Sequence, residues 1–157
     1  LYVIGEDSAG NLAALNSTVK ENLKIWLNKN KMINDSIDIY DAKILNIGFD
    51  FKITVESTRD KLEVLSTVYS KLRSELTDKL FIGEPFYITK IYNIINKVEG
   101  VVDTENVKMK LMTGTKYSSA PVSINQMKSK NGTYLKTPRN VVLEILNFNT
   151  DIRGTTQ

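Results

Sequence analysis

The 157-residue sequence contains no cysteine and no histidine. Without cysteine there is no disulfide framework, no thiolate nucleophile and no cysteine-based zinc site. Without histidine the chain lacks the commonest general base and metal ligand near neutral pH, so it cannot assemble a Ser-His-Asp triad by itself. Proline is sparse, with three residues, and tryptophan occurs once, as Trp26. No apolar run approaches the roughly 18 residues of a membrane-spanning helix, so no membrane partner is expected. Leu1 stands first in place of methionine, and residues 1–4 read as a strand and not as a signal peptide. A longer parent polypeptide is therefore expected.

What is present is ordinary for a globular domain: 41% hydrophobic and 25% charged residues. Residues 1–4 form a short apolar run, and residues 6–10 a polar turn. From Asn11 the period changes. Leu12, Leu15, Val19, Leu23, Trp26 and Leu27 follow helical spacing, which predicts an amphipathic helix over residues 12–31 with Asn11 as its N-cap. Asp35, Asp38 and Asp41 are regularly spaced, but the segment lacks the glycine and closing glutamate of a calcium loop, and it reads as a connector with a short strand around Ile37 and Ile39.

Strict alternation follows. Leu45, Ile47, Phe49, Phe51, Ile53 and Val55 alternate with Asn46, Gly48, Asp50, Lys52, Thr54 and Glu56, the pattern of a half-buried strand. Gly48 inside it marks a bulge or a close backbone approach. Ser57 and Thr58 are candidate caps for a second helix, whose stripe is Leu62, Leu65, Val68 or Tyr69, Leu72 and Leu76. Pro85 separates it from a third helix over residues 89–98, with Ile88, Ile91, Tyr92, Ile95 and Val98 inward and Gly100 as a left-handed cap. A long strand is expected over residues 101–112. Asn131-Gly132 predicts a type I′ hairpin between residues 126–130 and 133–136, within an excursion over residues 113–138. Residues 140–148 return to strand character, and residues 150–157 read as a polar tail.

The order strand, helix, strand, helix, helix, strand, hairpin, strand predicts an α+β fold, an antiparallel or mixed sheet with helices packed on one face. Residues 1–40 form a strand and long helix arm leading into a domain over residues 41–157.

The motifs that could carry chemistry are weak. Gly114-Thr115-Lys116 lacks the upstream glycine of a phosphate loop. Asp103 and Glu105 share a strand face and could be imagined as acid and base, but they read more simply as solvated strand residues. Ser70-Lys71 and Ser129-Lys130 lack a third orienting group. No catalytic, cofactor-binding or metal-binding residue is assigned, no cofactor is expected, and the chain reads as non-enzymatic.

Charge is distributed unevenly. Residues 106–143 hold seven of the 21 basic residues and none of the 18 acidic ones, so the remainder carries a net charge of −4. Such a stretch is either a solvated face or a surface that steers toward an acidic partner. Lys128, Lys130, Lys136 and Arg139 are its candidate interface residues, and Trp26 is a fifth, suited to core packing, the commoner case, or to a partner contact. Tyr117 and Tyr134 within the stretch also admit stacking on bases, which keeps a nucleic-acid-binding module as the alternative function, although no RNA-recognition aromatic motif accompanies them.

Several segments resemble a known family. LYVIGEDSAGNL at residues 1–12, Trp26-Leu27, KMIND at 31–35 and DAKILNIGF at 41–49 are similar to baseplate wedge proteins of T-even-type contractile-tailed phages. GEPFYITKIYNIINKVEGVVD at residues 83–103 resembles a hallmark of the broader baseplate J-like family, and FNTDIRG at 148–154 resembles the end of the phage proteins. The likeness covers nearly the whole chain and is weakest over residues 113–138. It implies a virion structural role in the tail baseplate: self-association, contacts with other wedge proteins, and closure of a ring around the hub, with no catalytic residues to carry over.

Overall fold

The computed structural model describes residues 1–32, 34–118 and 122–157. Ile33, in the expected connector, and Ser119, Ala120 and Pro121, in the expected excursion, lie outside the described residues. In chain order the elements are β1 (Tyr2–Val3), β2 (Gly5–Glu6), β3 (Leu12–Ala13), α1 (Ser17–Lys29), β4 (Tyr40–Asp41), β5 (Lys43–Val55), α2 (Lys61–Glu75), β6 (Phe86–Tyr87), α3 (Ile88–Ile95), β7 (Val101–Leu111), the single turn α4 (Ile124–Met127), β8 (Tyr134–Leu135), β9 (Val141–Glu144), the single turn α5 (Phe148–Asp151) and β10 (Ile152–Thr156).

The alternating segment is β5, the centre of the sheet. It pairs antiparallel with β7, parallel with β9 along Lys43–Asn46, and parallel with β10 along Phe49–Ile53. The sheet is therefore mixed, and the α+β expectation holds. All six odd-numbered apolar residues from Leu45 to Val55 are buried and join one core with Val64, Val68 and Leu72 of α2 and with Ile88, Ile91, Ile94 and Ile95 of α3. Moving this strand by one residue would carry that whole set to the other face, so its register is strongly fixed.

The opposite face of β5 is wet only over its second half. Asn46, expected to face water, is 3% exposed. Its amide donates to Glu144 Oε2 at 2.9 Å, and its side-chain oxygen accepts the Ser118 N–H at 2.9 Å. Gly48 is likewise buried. Of its two expected roles the structure selects close approach, because a Cβ there would collide with the Asp151 carbonyl oxygen. The register shifts lie further along, opposite Lys52/Ile53 and Thr54/Val55, and there it is β7 that carries the unpaired residues, Glu105 and Val102.

Both helices pack as amphipathic elements, with shifted ends. The cap of α2 is Asp60, whose side chain accepts the Leu62 N–H at 3.0 Å, not Ser57 or Thr58. Its inward face is Val64, Val68 and Leu72, while Leu62, expected inside, is 74% exposed. Gly100 has the expected positive φ of 92°, but it sits in the turn entering β7 rather than at the end of α3, and its carbonyl accepts the Glu56 N–H.

Three local readings need correction. First, α1 begins at Ser17 with Asn16 as its cap. Residues 5–13 form the hairpin β2–β3, because the Asp7 carboxylate accepts the amides of Ala9 and Asn11 and closes a turn before the helix can start. Second, the excursion is not a type I′ hairpin. That turn needs positive φ at both central residues, and among the described residues only glycines have it, Gly132 at 67° included. Instead α4 leads into a wider loop, in which the Ser129 hydroxyl accepts the N–H groups of Thr133 and Tyr134, and β8 docks on β6. Third, the expected polar tail is α5 and β10. Ile152 is 1% exposed, and Asp151, fully buried, accepts from Tyr117 and from the Asn147 amide.

Candidate interaction surfaces

The arm at the N-terminal side is held lightly. β1 pairs with β4 over two residues, Lys20 bonds Asp41 at 2.7 Å, and Lys24 lies 3.7 Å from Asp38. These pairings use two of the three regularly spaced aspartates as anchors for α1. None of the residues of α1 is buried. Leu23 and Leu27 are half-buried, whereas Val19, Ile25 and Trp26 are exposed, Trp26 at 61%. Trp26 is thus not a core residue. Met32, just beyond the helix, is 78% exposed. The helical spacing that predicted a core-facing stripe is real, but one flank of it faces water.

The second surface is the basic stretch. Of its seven cations, only Lys110 has an ion-pair partner among the described residues, Asp50 at 2.6 Å. Lys128, Lys130, Lys136 and Arg139 are all exposed. The structure brings the three lysines together on one loop, since Lys128 bridges to Leu135 and the Lys136 N–H donates to the Met127 carbonyl at 2.6 Å. Arg139 stands apart on the segment leading into β9, its backbone against Gly83.

Two tyrosines belong with these lysines. Tyr87 of β6 lies opposite Tyr134 of β8, with ring centroids 5.7 Å apart and planes tilted by 43°. Tyr87 is 53% exposed. Tyr134 was legible as an aromatic within a basic stretch. Tyr87 was missed, although its signal is present: Phe86 and Tyr87 alternate inward and outward ahead of a helix. Tyr117, the other candidate for stacking on bases, is engaged elsewhere, donating its hydroxyl to Asp151 Oδ1 at 2.6 Å.

Several polar side chains elsewhere are engaged structurally. Glu105 accepts from Lys52 at 2.8 Å and from Thr54 at 2.9 Å, and the Lys52 ammonium beside it holds its carboxyl below the usual glutamate range. Asp103 caps the amide of Thr104. A cavity of 210 Å³ lies beneath the β2–β3 turn, lined by Leu12, Ile47, Leu76, Phe86 and Leu143 among others. The carboxylates of Glu84 and Glu144 at its margin are taken up by the backbone amides of Phe81 and Leu12. Among the described residues no group of three or more acidic side chains could hold a metal ion, and no helix is long and apolar enough to cross a membrane.

No known protein-family model matches the sequence, and no curated protein matches it.

Proposed function

We propose that the chain is a structural part of a phage tail baseplate wedge, associating with copies of itself and with other wedge proteins in the ring around the hub. The observation that carries this reading is the arm. A helix of 13 residues that buries none of them has little to hold it in place alone, because isolated helices shorter than about 12–15 residues are marginal in water. Covering the open flank of α1, where Val19 and Trp26 lie next to half-buried Leu23, would supply the missing burial. A large exposed aromatic beside aliphatic neighbours is also the kind of residue that dominates interface energetics. The phage-like segments quoted above supply the setting, the virion tail baseplate, and the proposal gives the chain no catalytic task.

Closed symmetric assemblies make the same patch meet itself or a fixed complement repeatedly, so one exposed stripe serves every copy. The test is sedimentation velocity at micromolar concentration, comparing the unaltered chain with the double variant Val19→Ser, Trp26→Ser. The unaltered chain is expected to sediment as a dimer or larger, and the variant as a monomer with an unchanged far-UV spectrum. A monomer in both cases overturns the proposal.

The competing reading is a nucleic-acid module built on the basic stretch. Tyr134 favours it, while the engagement of Tyr117 removes half of the aromatic surface it called on.

A further inference from the structure

The arm leaves unexplained why so many cations lack an ion-pair partner among the described residues around a second, well-anchored feature. β6 and β8 are only two residues each, yet they are tied firmly to the core. Phe86 and Leu135, opposite one another, are 6% and 0% exposed. The Ile88 N–H donates to the Thr133 carbonyl at 2.9 Å. The partners on the outward face are Tyr87 and Tyr134, so a rigid base presents two aromatic rings to solvent.

Cations lie on both sides of this pair. Lys136 follows Tyr134 by two residues, is exposed, and donates its backbone N–H to the Met127 carbonyl. Lys128 and Lys130 are on the facing limb of the loop. On the other side Lys90 borders a groove shared with Tyr87, Asn93 and Lys97. Glu75 borders the same groove, but Lys71 neutralises it at 3.2 Å. None of Lys90, Lys97, Lys128, Lys130 and Lys136 has an ion-pair partner among the described residues.

An aromatic centre with a charged, solvated rim is the anatomy of a protein-binding patch. The rim charge sets the partner's sign. Resting on the assembly reading for its setting, we infer that the Tyr87–Tyr134 platform docks an acidic segment of a different wedge protein, one that places an apolar side chain on the two rings and carboxylates toward the lysines. A single-stranded nucleic acid fits less well. The rings are 5.7 Å apart and touch each other, so no base can enter between them, and each offers only its remaining outer surface.

Fluorescence anisotropy tests the inference with three labelled probes: an acidic peptide with a central leucine–phenylalanine pair, a polyglutamate peptide of equal charge, and an oligothymidylate. The acidic–apolar peptide is expected to bind about tenfold more tightly than polyglutamate, with affinity falling as salt rises. Tyr87→Ser should erase that preference. The triple variant Lys128→Ser, Lys130→Ser, Lys136→Ser, confined to exposed positions, should weaken both peptides by about tenfold at low salt. Tighter binding of the oligonucleotide, no binding of the acidic–apolar peptide, or a preference that survives Tyr87→Ser overturns the inference. Sedimentation of the same samples separates the two proposals, because loss of peptide binding with self-association intact rejects only the platform.

Discussion

Two tyrosine hydroxyls finish the outer edges of the sheet. The Val107 N–H of β7 donates to the Tyr92 hydroxyl at 3.0 Å, and the Gly154 N–H of β10 donates to the Tyr69 hydroxyl at 2.5 Å. Each helix thus satisfies one edge amide that lacks a strand partner, which also blunts that edge against pairing with another chain. Tyr92→Phe keeps the ring and removes only the acceptor, so chemical denaturation should show a loss of about 1–3 kcal/mol. At Gly48 a different cause operates: Gly48→Ala must push back the Asp151 backbone, and a loss of about 2–3 kcal/mol is expected in the same measurement. Asp7 gives a pH-dependent prediction. The Asn11 amide, with further help from the Asn11 side chain and the Ala9 amide, holds the Asp7 carboxyl below the usual aspartate range. Because the folded form binds its proton less readily than the unfolded one, the turn is stabilised above the ordinary aspartate value of about 3.9 and loses that stabilisation as the pH falls below it. Amide shifts of Ala9 and Asn11 should move together below that pH, and Asp7→Asn should abolish the titration. The role of Gly48 was half legible, because a glycine in a strand signals either a bulge or close approach. The choice between them depended on Asp151, a hundred residues away.

At the scale of elements, periodicity located the long pieces and misjudged their margins. β5 was readable because six large apolar residues at every second position allow only one register. Its partners β9 and β10 were not equally readable. β10 has Ile152 as its one large apolar residue, and it is buried because the strand lies against β5 with α5 docked on α2, where Arg73 stacks over the Phe148 ring at 5.0 Å. Nothing local in residues 150–157 reports that docking. The start of α1 was misplaced because Leu12 and Leu15 continue the helical spacing into a hairpin, and the spacing does not register that Asp7 has already committed the chain to a turn. In α2 only the first position of the expected stripe was misplaced, with Leu62 exposed and Val64 buried in its stead, and this can be checked directly. Leu72→Ala should cost about 2–5 kcal/mol as a fully buried truncation, whereas Leu62→Ala at 74% exposure should stay within about 0.5 kcal/mol. Equal costs in thermal or chemical denaturation would show that the inward face of α2 is wrongly placed.

The whole molecule divides its apolar residues between two tasks. The β5, α2 and α3 residues close one core, which accounts for folding. The α1 residues Val19, Ile25 and Trp26 contribute to no such core, and Lys128, Lys130 and Lys136 have no ion-pair partner among the described residues. Composition foresaw the second of these, since a stretch free of acidic residues cannot neutralise itself. It could not foresee the first, because a stripe at helical spacing looks the same whether its own chain or a neighbour covers it. That difference is what the proposed self-association through the arm depends on, and the single tryptophan lies at the point in question. The most direct measurement is Trp26 emission and its quenching by acrylamide, followed from nanomolar to high-micromolar protein. If copies meet through α1, emission shifts to shorter wavelength and quenching falls as concentration rises, and both changes vanish when Val19 is replaced by Ser. Emission and quenching that stay those of an exposed indole across the whole range would contradict the arm's role as an interface.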